Sequence, residues 1–234
     1  MSHLLWSNLA AAAGQSLDAE QHERLSRYLD LLLEANRSIN LTRITDRAAA
    51  EVQHVGDALT LLPFLPRNAF SLVDVGSGGG VPGIPLAIAR PDAQVLLVES
   101  TKKKAFALRR FAAELGLGNV SISAERAEDV GRSALRETLD VATVRAVAKL
   151  DWLAEWCLPL VKVGGKLLAQ KGERIAEELP KAGKAIRLLG GSEAKVRPVE
   201  LSGTTNHVIV EIEKIRRTPA NLPRSATQAK GKPL

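Results

Sequence analysis

The sequence predicts a doubly wound α/β protein, with a mostly parallel sheet closed by an antiparallel hairpin and preceded by a small helical extension. Three observations carry this reading. Short apolar runs alternate with helical patterns from about residue 67 onward, a glycine-rich loop follows the first run, and the last two runs leave no room for a helix between them.

The opening residues read as helical. Leu25, Tyr28, Leu29, Leu32 and Leu33 recur at helical spacing, after the capping candidates Ser16 and Asp18. Asn36 to Thr42 breaks that pattern. A second helix is expected from Thr45, with Asp46 in its first turn, to about Leu62. Pro63 and Pro66 then punctuate the chain. The reading therefore divides it into a helical extension (1–66), a sheet domain (67–215) and a basic tail (216–234).

Strands are expected at 72–75, 95–98, 120–123, 141–144 and 167–169. Helices are expected at 85–90, 102–115, 152–161 and 174–189, with a short one around 127–136. Right-handed crossovers would gather ligands at the carboxyl ends of the strands. Segments 196–201 and 208–212 flank Ser202-Gly203-Thr204-Thr205 and read as the closing hairpin, giving seven strands in all.

Composition bounds the function. The chain of 234 residues is 45% hydrophobic and 25% charged, ordinary for a globular domain. A single cysteine, Cys157, leaves no internal disulfide. The longest uncharged stretch, residues 1–17, is broken by polar residues and lacks a basic start, so neither a membrane span nor a signal peptide is expected. The expectation is a cytoplasmic enzyme. The net charge of +6 lies wholly in residues 214–234: Lys214, Arg216, Arg217, Arg224, Lys230 and Lys232 have no acid among them, and residues 1–213 are balanced. Such a tail suits a polyanion such as RNA, or is a solvated terminus.

Asp74-Val75-Gly76-Ser77-Gly78-Gly79-Gly80-Val81-Pro82-Gly83 follows a strand and opens a helix. Glycines there admit a ligand against the backbone and adopt positive φ. Residues 78–83 also match G-x-G-x-x-G, and Glu99 lies 21 residues after Gly78, so a nicotinamide-dependent oxidoreductase is a rival reading. Charge argues against it. Asp74, Glu99 and Glu128 fall at successive strand ends, where three carboxylates would repel a pyrophosphate. They suit a ligand with an ammonium, a sulfonium and a ribose diol, and S-adenosyl-L-methionine has all three.

The remaining residues limit the acceptor. Cys157 sits inside a helical pattern and reads as core rather than as a nucleophile for cytosine C5. After the fourth strand stands Val144-Arg145-Ala146-Val147, not the Asn/Asp-Pro-Pro-Tyr loop of adenine amino-group chemistry. A ring nitrogen with a free lone pair, such as guanine N7, needs no base. Arg145 should point into the cleft and hold a guanine O6, a phosphate or a carboxylate, or else pair with Asp140 or Glu128. Lys102, Lys103, Lys104, Arg109 and Arg110 give one helix a basic face. Aromatics make up 3%, so stacking platforms are not evident, and Trp152 with Trp156 read as core. His54 and His207 look isolated, and no metal-ligand spacing appears.

These stretches resemble the ribosomal RNA small-subunit methyltransferase G family, also called glucose-inhibited division protein B. The resemblance rests on Asn40-Leu41-Thr42, His54 with Asp57, Asp74 through Ile88, Glu99 through Lys103, Arg126-Ala127-Glu128, Val144-Arg145-Ala146, Gly164-Gly165 and Lys171-Gly172. It implies a class I S-adenosylmethionine-dependent methyltransferase acting on a guanine N7 of bacterial 16S rRNA, alone or in the small ribosomal subunit. It further implies cofactor contacts at Gly76, Val81, Ala127, Glu128 and Arg145, with Glu99 on the ribose. Gly78, Gly80, Ser100 and Thr101 are candidates beside them. Arg145 is the candidate catalytic residue, and a monomer without metal is expected. The tail departs from the family pattern, since Leu222-Pro223-Arg224 leads into Ser225-Ala226-Thr227 rather than an aromatic and a Pro-Gly turn. A non-catalytic RNA-binding protein with a vestigial pocket is the third reading.

Overall fold

Seven strands form one sheet in the computed structural model, which describes residues 2–145, 147–201, 207–229 and 231–234. They are β1 (Ser71–Val75), β2 (Gln94–Val98), β3 (Val120–Ser123), β4 (Leu139–Arg145), β5 (Val161–Lys171), β6 (Lys195–Pro198) and β7 (Val208–Glu213). Their order is β3-β2-β1-β4-β5-β7-β6. The first five pair in parallel, and β7 is antiparallel to both β5 and β6. The winding reverses between β1 and β4, so the cleft above their carboxyl ends is where a ligand belongs.

The period-2 alternation of the strands divides the core. Leu72, Val95, Leu97, Val141, Leu168 and Ile209 face one apolar cluster, while Val73, Val98, Ala142, Val144, Leu167, Ala169 and Val210 face the other. The first cluster is covered by α1 (Ser2–Ala12), α2 (Ala19–Asn36), α5 (Gly83–Ala89) and α6 (Lys102–Glu114). The second is covered by α8 (Leu150–Cys157) and α9 (Ile175–Leu188), which pack on each other. Trp6, Leu25, Tyr28 and Leu29 thus share one core with Leu72, Ile84 and Leu97.

Several boundaries move for local reasons. Asp18, not Ser16, caps α2, in a capping box with Gln21. Asp46 lies outside the next helix as its cap, accepting from Ala49 N at 2.8 Å, so that helix starts at Arg47. It runs as α3 (Arg47–Ala50), widens into a π-helical turn (Glu51–Gly56), and ends as α4 (Asp57–Leu59). The helix expected near 127–136 is only α7 (Ala127–Val130), and α8 ends before Pro159, where a 3-10 turn takes over. Strand β5 begins well before residue 167. The expected turn at 202–205 lies outside the described residues.

The tail is partly folded onto the body, contrary to a wholly solvated terminus. Lys214 is fully buried, and its Nζ donates to Leu158 O and Thr218 Oγ1. Arg136 donates to the carbonyls of Thr218, Pro219 and Leu222. Arg224 makes two bonds to the buried Glu155 carboxylate, at 2.8 and 2.7 Å. Two of the six cations of residues 214–234, Lys214 and Arg224, are therefore engaged by the body, while Arg216 and Arg217 remain exposed.

Candidate functional site

A cleft of about 890 Å³ opens above the carboxyl ends of β1, β2 and β4. Its floor is the glycine loop between β1 and α5. Gly76, Gly78 and Gly80 all have positive φ, at 70°, 54° and 97°. Their surroundings differ. A Cβ on Gly78 would meet nothing nearer than Gly76 O at 3.8 Å, so this stretch of backbone is bare toward the cleft. A Cβ on Gly76 would strike Val147 at 2.8 Å, and one on Gly80 would strike Ile84 at 2.5 Å. Gly78 leaves room for a ligand, whereas Gly80 leaves room for the core.

Glu99 organises this floor. Its carboxylate accepts from Gly78 N at 3.0 Å and Thr101 N at 2.7 Å, joining the loop to the start of α6. Asp74 works from beneath. It is fully buried at the penultimate position of β1, accepts from Gly83 N at 3.1 Å, and has an Oδ1 with no partner. Burial pushes its carboxyl up to about 7, and the bonds from Gly83 and Ser77 restrain the rise. Asp74 therefore stands under the floor rather than at the rim. From the other side Tyr28 on α2 donates to Gly79 O at 2.9 Å, and a Cβ on Gly79 would strike Leu32 at 2.7 Å. The helical extension thus braces the loop, a role that helical periodicity alone does not announce.

At one end the cleft continues into a smaller hollow of about 120 Å³, lined by Gly76, Ser100, Ala127, Glu128, Val147 and Trp156. Glu128 is buried here, and Trp156 is half-buried at the wall rather than in the core. Trp152 is half-buried as well, its ring 5.7 Å from that of Trp156. Cys157 is the core residue expected, and burial raises its thiol pKa, as a nucleophile's environment would not.

The opposite end is built from side chains. Arg145, at the end of β4, lines the cleft but pairs with neither Asp140 nor Glu128. Its Nη1 donates to Asp57 Oδ2 at 2.8 Å and to Gln53 O at 2.7 Å, and its Nη2 donates to His54 Nδ1 at 3.1 Å. The π-helical turn carries Gln53 and His54, so the widened backbone faces the guanidinium. Because arginine only donates, His54 Nδ1 is the accepting nitrogen, and Nε2–H donates to Thr42 Oγ1 at 2.9 Å. Burial, with the Arg145 charge, lowers the His54 pKa to about 4 and keeps the ring neutral. His207 adds a bond to Asp57 Oδ1 at 3.2 Å, and that bond raises its pKa. The two histidines that look isolated in sequence belong to one network, His207 on Asp57 directly and His54 through Arg145.

The candidate residues accordingly separate into two sets. Gly76, Gly78, Val81, Glu99, Ser100 and Arg145 line the cleft, and Ala127 and Glu128 line its extension. Asp74, Gly80 and Thr101 hold the floor from behind. Among the described residues no group of three or more His, Cys, Asp or Glu side chains is placed to hold a metal, and no helix is long and apolar enough to cross a membrane. The bare strip over Gly78, the carboxylate of Glu99 and the size of the cleft fit an adenosine-bearing cation.

Comparison with known proteins agrees with this geometry. The fold is similar to that of an S-adenosylmethionine-dependent methyltransferase from Aquifex aeolicus, at a TM-score of 0.56 and 15% identity, covering 75% of this chain and 97% of the other. In sequence the chain is 42% identical to ribosomal RNA small subunit methyltransferase G of Alkaliphilus oremlandii, covering 92% of this chain and 91% of that protein. It is 43% identical to the protein of the same name from a Roseiflexus species, covering 97% of each. The family described as rRNA small subunit methyltransferase G matches residues 21–208, and the chain belongs to that family.

Proposed function

We propose that the cleft binds S-adenosyl-L-methionine and that the chain transfers its methyl group to N7 of a guanine in 16S rRNA. The observation that carries this reading is the bare, Glu99-anchored glycine floor in a chain of this family. Family membership displaces both rivals drawn from the sequence, the nicotinamide enzyme and the non-catalytic RNA binder.

Each carboxylate oxygen of Glu99 holds one N–H and keeps a lone pair for a ribose hydroxyl. Gly76, Gly78 and Val81 offer close backbone approach, with Asp74, Gly80 and Thr101 supporting them. Ser100, Ala127 and Glu128 take the adenine end. Arg145 has two donors left after its bonds to Asp57, Gln53 and His54, and these suit a carboxylate or a guanine O6. The bound cofactor supplies an electrophilic methyl on a sulfonium, so the protein's contribution is alignment. Both nitrogens of His54 are occupied, which favours an acceptor that needs no deprotonation. The protein is expected to act as a monomer, in the cytoplasm, on RNA alone or in the small subunit.

The test is tritium transfer from labelled cofactor to small ribosomal subunits and to naked 16S rRNA, followed by nucleoside mass spectrometry. The expected product is 7-methylguanosine. A different methylated nucleoside, or no transfer to either substrate, would contradict the assignment.

A further inference from the structure

Phe106 lies on α6 with 69% of its surface exposed. The chain has three Trp, one Tyr and four Phe, and every other one of these rings is buried or half-buried. A single exposed apolar side chain is ordinary. The surroundings of this one are not. Helical spacing places Lys102 and Lys103 one turn before Phe106, and Arg109 and Arg110 one turn after it. Lys102, Lys103 and Arg109 are exposed and make no ion pair among the described residues, whereas Arg110 is held by Glu34 and Glu114. The ring sits in a shallow dish of about 500 Å³ whose walls are Ile39, Lys102, Lys103, Arg109 and Ala124.

The dish adjoins the cleft. Ile39 walls the dish, while Asn40 and Leu41, the next residues of the same loop, wall the cleft. Lys102 and Lys103 belong to the dish and Lys104 to the cleft, so the first turn of α6 separates the two hollows. A strand with one nucleotide in the cleft would pass over this partition into a surface with a free π-face and three unpaired cations. That combination suits single-stranded RNA, in which a base stacks on the ring while flanking phosphates meet the cations. A second copy of this chain fits poorly, because a self-complementary contact here would set lysine against lysine.

We propose that Phe106, framed by Lys102, Lys103 and Arg109, is a stacking subsite for an unpaired base of the RNA substrate close to the nucleotide in the cleft. This rests on the proposed function and adds a specific subsite to it. Binding of a short fluorescein-labelled single-stranded RNA, followed by anisotropy across a salt series, tests it. Phe106→Ala should weaken binding on the order of ten-fold and leave the salt slope unchanged. Phe106→Trp should restore affinity, and Phe106→Leu, apolar but without a π-face, should not. Lys103→Gln should instead flatten the salt slope by about one. The same RNA annealed into a duplex should not distinguish Phe106→Ala from the native protein.

Unchanged affinity in Phe106→Ala would overturn the subsite alone, as would rescue by leucine. If Phe106→Ala instead abolished a self-association seen by sedimentation, the face would be a protein contact and the subsite would fall. Failure of the native protein to bind any RNA would overturn the functional reading and the subsite together.

Discussion

The two ends of the cleft are built by different means. At the glycine loop the working surface is backbone, kept bare at Gly78, anchored by Glu99 and fixed from behind by Asp74 and Tyr28. At Arg145 it is a set of side chains from distant segments, locked by bonds to Asp57, Gln53 and His54. The backbone wall depends on what is absent, so any side chain placed on it obstructs the cleft. The side-chain wall depends on every member being present, so removing one leaves buried groups unpaired. On the proposed function the loop sets which ligand fits, and the network sets how Arg145 is aimed.

The sharpest break should come from Asp57→Ala. Asp57 is buried and is the anion for both Arg145 and His207. Its loss should cost about 3 kcal/mol in urea denaturation, because it strands a partly buried guanidinium. A cost under about 0.5 kcal/mol would show that the network is incidental to the fold. Next, Gly78→Asp should reduce S-adenosylmethionine affinity on the order of a hundred-fold while thermal unfolding changes much less, since the new side chain points into open space at a positive φ. Calorimetry checks this, and equal affinity would remove the loop from the binding site.

The pH dependence separates the walls by sign. The His54 pKa falls from 6.5 to about 4 on folding, so below pH 6.5 the unfolded chain takes up a proton that the folded chain refuses. Its contribution to stability is complete above 6.5 and is lost as the pH falls toward 4. Asp74 rises from 3.8 to about 7, so its contribution is complete below 3.8 and is lost as the pH rises through 7. Between pH 4 and 6.5 the two slopes oppose. Asp74→Asn should therefore make stability climb more steeply with pH across that window, and His54→Gln should make it decline. Denaturation midpoints measured at several pH values test both, and curves parallel to the native one would contradict both shifts. The smallest effect is expected from Tyr28→Phe, which removes one buried bond to Gly79 O at about 1 kcal/mol.

The same contrast explains what could be read in advance. The glycine loop is contiguous, and its conformational demand is written residue by residue, so its place between β1 and α5 follows directly from sequence. Alternation along β1, β4 and β7 is equally local, and so is the cap at Asp18, whereas Asp46, expected in the first turn of a helix from Thr45, caps one that begins two residues later at Arg47. Nothing local joins Thr42, His54, Asp57, Arg145 and His207, because four separate segments bring them together only after the sheet forms. The π-helical turn carries no compositional signal. The depth of Asp74 escaped for a related reason. A carboxylate at a strand end reads as a rim residue, but here the strand runs one residue further and pairs on both sides with Leu97 and Thr143. Phe106 was hidden by the low aromatic content, which says how many rings exist and not where they stand.

The central claim is that the cleft over Gly78 selects an adenosine-bearing cation rather than a dinucleotide. Calorimetric titration of the intact protein with S-adenosyl-L-methionine, and separately with NAD, tests it most directly. Saturable binding of the sulfonium ligand at one site is expected, with no measurable heat from NAD. Tight NAD binding, with no binding of S-adenosylmethionine, would contradict it.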